Sequence, residues 1–226
     1  MKNVLLFDID GTLIDAGLAG QSAMEAALAE EFGAVRPVTG IPIAGRTDRA
    51  IGMDLFRFHQ VEVNDTHWAR YINTYFRLLP DALKTKVGSI LPGVMTLLDK
   101  LSTREDVLLG LLTGNFSRGA QLKLTHYDLA RHFQFGGFGD DHLDRDDVAR
   151  EAYRIVGRHI PEVEPHHVWV IGDTPSDIRC GRAIGANVLA VGTGHFTVAQ
   201  LQEHKPDCVL SDLSHAEEWL KSIRLS

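Results

Sequence analysis

The sequence predicts an α/β protein, a doubly wound and Rossmann-like parallel sheet with a helical segment inserted after the first strand. Three observations predict it. Runs that are apolar at consecutive positions recur at residues 3–7, 107–112, 134–138, 167–171, 187–191 and 207–210. Strands look like this when helices cover both faces of a parallel sheet. Helical spacing fills most of the intervals, so strand and helix alternate. Only the stretch between Asp15 and Val87 breaks the rhythm, with helical patterns and no buried strand.

Each element has its local reason. The first run, Asn-Val-Leu-Leu-Phe, stops at Asp8. A helix over residues 17–32 places Leu18, Met24, Ala27, Leu28 and Phe32 mostly on one face and ends at Gly33. Residues 40–45, with Pro42 and two glycines, form a loop. Further helical patterns cover 47–59, 64–79 and 80–86, with a break at Pro80. A helix at 94–101 follows Pro92-Gly93, a helix-start signal. Apolar residues at helical spacing predict helices over 117–129 and 146–157, and a helix at 176–185 runs straight into the next strand. The expected organisation is an α/β core of residues 1–15 and 88–226, with a smaller helical domain of residues 16–87.

Composition excludes several function classes. The 226 residues are 44% hydrophobic and 23% charged, ordinary globular proportions. The formal net charge of −7, with no Lys/Arg cluster, argues against nucleic acid or an anionic membrane as a partner. Apolar runs such as 107–112 break at Thr113, far short of the ~20 residues of a membrane span. Asp8 and Asp10 interrupt the apolar start, which is not a signal-peptide pattern. Cys180 and Cys208 form no CxxC pair, and a reducing cytoplasm is the expected location.

The chemistry is written at the strand ends, where ligands bind in open α/β sheets. The first strand ends in Asp8-Ile9-Asp10-Gly11-Thr12-Leu13, the second buried run in Thr113-Gly114-Asn115, and the fourth in Gly172-Asp173-Thr174-Pro175-Ser176-Asp177. In a parallel sheet these meet on one rim. Two like charges ~4 Å apart repel by about 4 kcal/mol at an effective dielectric of ~20, so a carboxylate cluster calls for a shared proton or a cation. Oxygen ligands without Cys or His favour a hard ion, and Mg²⁺ is the expected cofactor. Plainer roles stand beside these. Thr113 could cap the next helix, Asp177 could complement a helix dipole, and the acid-rich stretch 140–147 reads as a solvated loop.

These residues resemble the haloacid dehalogenase superfamily, in its phosphoglycolate phosphatase-like branch. Asp8–Leu13 matches its first motif (DxDGT), Thr113 its second, and Gly172–Asp177 its fourth (GDxxxD). The helical insert is similar in position to the family's cap domain. The third motif, usually Lys, departs from the pattern, because no Lys lies between Lys123 and Lys205. Arg145 is the candidate for that role, with Arg150 as the alternative.

The resemblance implies a Mg²⁺-dependent phosphatase acting on a small phosphorylated metabolite. Asp8 would be the nucleophile that forms an aspartyl-phosphate, and Asp10 the general acid and base. Thr113, Gly114, Asn115 and Arg145 would bind the phosphoryl oxygens. Asp8, the Asp10 carbonyl and Asp173 would be the metal ligands, with Asp177 as an outer or alternate ligand. In the insert, Arg46 within Gly45-Arg46-Thr47-Asp48 either reaches an anionic substrate or belongs to a loop whose Thr47 or Asp48 caps a helix. A β-phosphoglucomutase-like mutase would share every core residue. A haloacid dehalogenase proper would lack the second acid of the first motif, and a binding protein would keep the fold without turnover.

Overall fold

Strand β1 (Asn3–Phe7) lies at the centre of a six-stranded sheet, hydrogen-bonded in parallel to β4 (Val107–Leu112) on one side and β6 (Val168–Gly172) on the other. Beyond β4 lies the short β5 (Gly136–Gly137), and beyond β6 lie β7 (Asn187–Val191) and β8 (Cys208–Leu210). Every pairing in this sheet is parallel. The computed structural model describes residues 2–223 and 225.

The chain runs outward from β1 through β4 to β5, then crosses to β6 and runs outward again. That reversal makes the sheet doubly wound and leaves β1 beside the switch point where such sheets bind ligands. Alternation along the strands divides the core in two. Leu5, Phe7, Leu109, Leu111, Trp169 and Ile171 belong to one apolar cluster. It is covered by α4 (Val94–Ser102), α5 (Ser117–His126) and α9 (Ala216–Ser222). Val4, Leu6, Leu108, Leu112, Val168 and Val170 belong to the other cluster. There they meet α6 (Arg145–His159), α7 (Pro175–Ala183) and α8 (Val198–Glu203). All six residues of β4 are buried, as a run without alternation requires.

Between the first strand and α4 lie α1 (Ala19–Phe32), α2 (Asp48–Phe58) and α3 (Asp65–Thr85), with α1 packed along α3. The expected break at Pro80 does not occur, and α3 runs unbroken through it. Proline inside a helix costs ~3 kcal/mol. The buried stripe Tyr71, Tyr75, Leu79 and Leu83 continues across the proline, and its burial offsets that cost. Two further expectations are corrected. Only Gly136–Gly137 of the run 134–138 form a strand. The helix expected over 117–129 ends at His126, and a separate 3₁₀ turn follows at Ala130–His132.

The two chain passages joining the helices to the sheet run side by side. β2 (Ile14–Asp15) pairs antiparallel with β3 (Ser89–Ile90). Two residues are too few to show a period, so this ladder leaves no trace in the hydrophobic pattern. No helix among the described residues is long and apolar enough to cross a membrane.

Candidate active site

After Phe7 the chain turns sharply. Leu13 N–H donates to Ile9 O (2.8 Å) and Gly11 N–H to Ile14 O (2.8 Å). Gly11 has φ of +83°, and a Cβ there would come within 2.4 Å of Asp173 Oδ2. Glycine is therefore needed twice, for its backbone conformation and for the close approach of Asp173. Thr12 Oγ1 donates to Asp173 Oδ1 (3.0 Å), so the first motif holds the fourth-motif acid directly.

Asp8, Asp173 and Asp177 are all buried, and one carboxylate oxygen from each lies within 4.8 Å of the others. Arg145, at the first turn of α6 and 3% exposed, donates from Nη1 to Asp8 Oδ1 (3.4 Å) and from Nη2 to Leu112 O (3.3 Å) and to Asp177 Oδ1. Burial pushes the Asp8 carboxyl up to about 6, although Arg145 opposes it. Burial, then Asp177 and Asp8 beside it, hold the Asp173 carboxyl well above the ordinary range. Burial works against the Arg145 charge, but Asp8 and Asp177 outweigh it and raise its pKa. One guanidinium cannot balance three carboxylates if all ionise, so the donor set fits a hard dication.

Asp177 does two jobs. It closes a capping box at the start of α7 with Thr174, and it pairs with Arg145. Thr174 donates from both its backbone N–H (3.0 Å) and its hydroxyl (2.7 Å) to Asp177 Oδ2. Both Asp177 oxygens are thus engaged by protein groups. Arg150, by contrast, lies on the exposed face of α6 and pairs with Asp147. The acid-rich stretch is structural: Asp144 caps α6, and Asp140 accepts from Ser117 N–H (2.8 Å) and Oγ (2.9 Å).

Thr113 is fully buried, and its hydroxyl accepts from Asn115 N–H (3.3 Å) and Nδ2 (2.8 Å). It therefore does not cap α5, whose first residue is Ser117. Asn115 Nδ2 also donates to Asp10 Oδ2 (2.8 Å). The same oxygen of Asp10 accepts from Lys123 Nζ (2.6 Å), which donates as well to Asn115 Oδ1 (2.6 Å). Lys123 was not among the residues expected at the site. Its signal was available: Gly119, Ala120 and Leu124 form the buried stripe of α5, and Lys123 falls on that stripe. Burial disfavours its charge, but Asp10 and Asp48 outweigh this and raise its pKa.

Lys123→Met should lower kcat by about 10- to 100-fold with little change in KM, a part of the ~10²–10⁴ that general acid–base catalysis contributes. Steady-state kinetics on a variant of unchanged circular dichroism would check it. Wild-type kcat would remove Lys123 from any role in holding Asp10.

The helical insert reaches the rim through the loop before α2. Asp48 N–H donates to Gly114 O (2.7 Å), and Phe116 N–H donates to Asp48 Oδ2 (2.9 Å). A Cβ on Gly114 would come within 2.0 Å of Arg46 O, so only glycine admits this docking. Thr47 caps α2 by accepting from Ala50 N–H (3.1 Å). Asp48, the first residue of α2, does not cap it; burial where the insert meets the rim pushes its carboxyl up to about 6 despite nearby Lys123. Arg46 is engaged within the insert itself. Its guanidinium donates to Pro42 O (3.1 Å) and pairs with Asp54 (2.7 Å).

A cavity of about 300 Å³ opens between rim and insert. Asp8, Asp10, Asn115, Lys123, Arg145 and Asp173 line it from the sheet. The sequence matches the haloacid dehalogenase-like hydrolases over residues 5–191. The chain belongs to this family. It is 24% identical over 214 residues to a phosphoglycolate phosphatase of Mesorhizobium japonicum, covering 93% of this chain and 91% of that one. It is 26% identical over 232 residues to a phosphoglycolate phosphatase of Yersinia pseudotuberculosis, covering 97% and 92%. The fold also matches CbbY from Rhodobacter sphaeroides in complex with phosphate, with a TM-score of 0.70 at 17% identity over 96% of this chain and 97% of that one. The chain is thus an enzyme, a haloacid dehalogenase-like phosphatase.

Proposed function

We propose that this haloacid dehalogenase-like enzyme is a Mg²⁺-dependent phosphatase that hydrolyses a small phosphorylated metabolite through an aspartyl-phosphate, in a reducing cytoplasm. The observation that supports it best is the buried cluster of Asp8, Asp173 and Asp177 around Arg145, whose Asp8 and Asp173 line the cavity.

In this reading Asp8 attacks phosphorus and the leaving alcohol departs. Asp10 gives that alcohol its proton, then takes one from the water that hydrolyses the phospho-aspartate. Lys123 and Asn115 hold the Asp10 carboxylate in place for both steps. Thr113 and the Gly114-Asn115 backbone bind phosphoryl oxygens, and Arg145 spreads its charge between them and Asp8. Asp8, the Asp10 carbonyl and Asp173 would hold Mg²⁺, with Asp177 outside because both its oxygens are engaged. Bound Mg²⁺ would neutralise charge on the phosphoryl oxygens. Residues 16–87 act as a cap that excludes water from the reacting centre.

A phosphate-release screen over phosphorylated metabolites tests the proposal. Turnover is expected with Mg²⁺, is lost in EDTA and returns when Mg²⁺ is added back. Release that is indifferent to EDTA, or none from any ester, would overturn it. Conversion of a hexose 1-phosphate to the 6-phosphate without phosphate release would assign a mutase instead.

A further inference from the structure

We infer that the leaving group of the substrate is uncharged and largely apolar, an inference that rests on the phosphatase reading above. The cavity has two kinds of wall. Its sheet side holds the charges that serve phosphoryl transfer. Its insert side presents Leu18, Met24, Ile43, Ala44 and Ile51, and a leaving group attached to phosphorus at Asp8 must lie against them.

A carboxylate or second phosphate on that group would need an unspent cation. Among the described lining residues the basic side chains are Arg145, Lys123, Arg46 and His195. Arg145 is committed to Asp8 and Asp177, and Lys123 to Asp10. Arg46 is the basic side chain that the insert adds to the lining, and its guanidinium is already engaged through both terminal nitrogens. Its Nη2 lies 2.7 Å from Asp54 Oδ2, while its Nη1 is held by Pro42 O. Asp54 is fixed from its other side by Arg57, at 2.6 Å from Oδ1. His195 stands at the exposed mouth, next to Gly194, whose backbone packs against Asp173. Asp15, at the edge of the core, and Asp48 add acids rather than bases beside that apolar wall. An anionic leaving group would meet hydrocarbon and carboxylates there, whereas a neutral one buries its carbon skeleton.

The ion pair Arg46–Asp54 therefore sets the charge preference, and it can be broken without touching the proposed catalytic groups. The experiment compares kcat/KM for phosphoglycolate with that for its uncharged amide, of nearly equal size, with p-nitrophenyl phosphate as a general reporter. The wild-type enzyme is expected to favour the amide by about tenfold or more, the scale of one charged hydrogen bond left unmade. Asp54→Asn frees the Arg46 guanidinium and should raise kcat/KM for phosphoglycolate by about tenfold while leaving the amide unchanged. A wild-type preference for phosphoglycolate, or an Asp54→Asn ratio that does not move, would overturn the inference while the phosphatase reading stands. No turnover of the reporter with Mg²⁺ would overturn both.

Discussion

Asp8→Asn is expected to abolish turnover while leaving the protein at least as stable as the wild type. An amide keeps the size and planarity of the carboxylate but offers no anionic oxygen to attack phosphorus. The loss should be about 10⁴-fold or more in kcat, or roughly 5.4 kcal/mol of barrier. Stability should move the other way. Asp8 is buried against Asp173 and Asp177, and burial already pushes its carboxyl up to about 6. Removing its charge relieves that crowding. The Arg145 contact given up in exchange is long, at 3.4 Å, and does not reverse the net cost of the buried Asp8 charge. Phosphate release and thermal melts, both with and without EDTA, check the two halves. Activity within tenfold of wild type would mean that the nucleophile lies elsewhere. A collapse in melting temperature would mean that Asp8 is held for structural reasons.

The resulting split between function and stability explains which residues were legible in the sequence. Asp8, Asp10 and Asp173 follow buried strands directly, so a strand pattern and a parallel sheet bring them to one rim. Arg145 stands where the sequence offers no lysine between Lys123 and Lys205 for the third-motif role. Its partners Asp8, Leu112 and Asp177 come from three separate elements, which no spacing encodes. Lys123 reaches Asp10 across 113 residues, and only the inward turn of α5 makes that contact. Asp48 and Phe116 meet through the docking of the insert on the rim, a tertiary event. The same holds for Pro80. Local chemistry predicts a break there, and packing of the continuing stripe overrides it. Arg46 shows the limit from the other direction. Its loop was legible, but its pairing with Asp54 depends on how α2 leaves that loop.

The second large effect is expected at Arg145, where charge and geometry can be separated. Arg145→Met keeps much of the length and bulk but removes the cation, leaving three buried carboxylates facing one another. Breaking a buried ion pair from one side costs about 3–5 kcal/mol, a large part of the ~5–15 kcal/mol that holds a domain folded. The melting temperature should therefore fall sharply in EDTA, and Mg²⁺ should restore part of it by supplying positive charge to the same cluster. Activity should stay about 10³-fold down even in Mg²⁺, since phosphoryl charge loses its fixed guanidinium. Arg145→Lys tests the rest. A lysine restores the charge, but its single nitrogen cannot span Asp8 on one side and Asp177 with Leu112 O on the other, as Nη1 and Nη2 do. Most of the stability should return, with activity still well below wild type. Arg150→Met is the control on the same helix. Arg150 pairs at the surface with Asp147, so its loss should change stability by less than about 1 kcal/mol and leave kcat alone. If Arg150→Met were the inactive variant and Arg145→Met the silent one, the third-motif cation would have to be sought on the outer face of α6, where no carboxylate of the cluster can meet it.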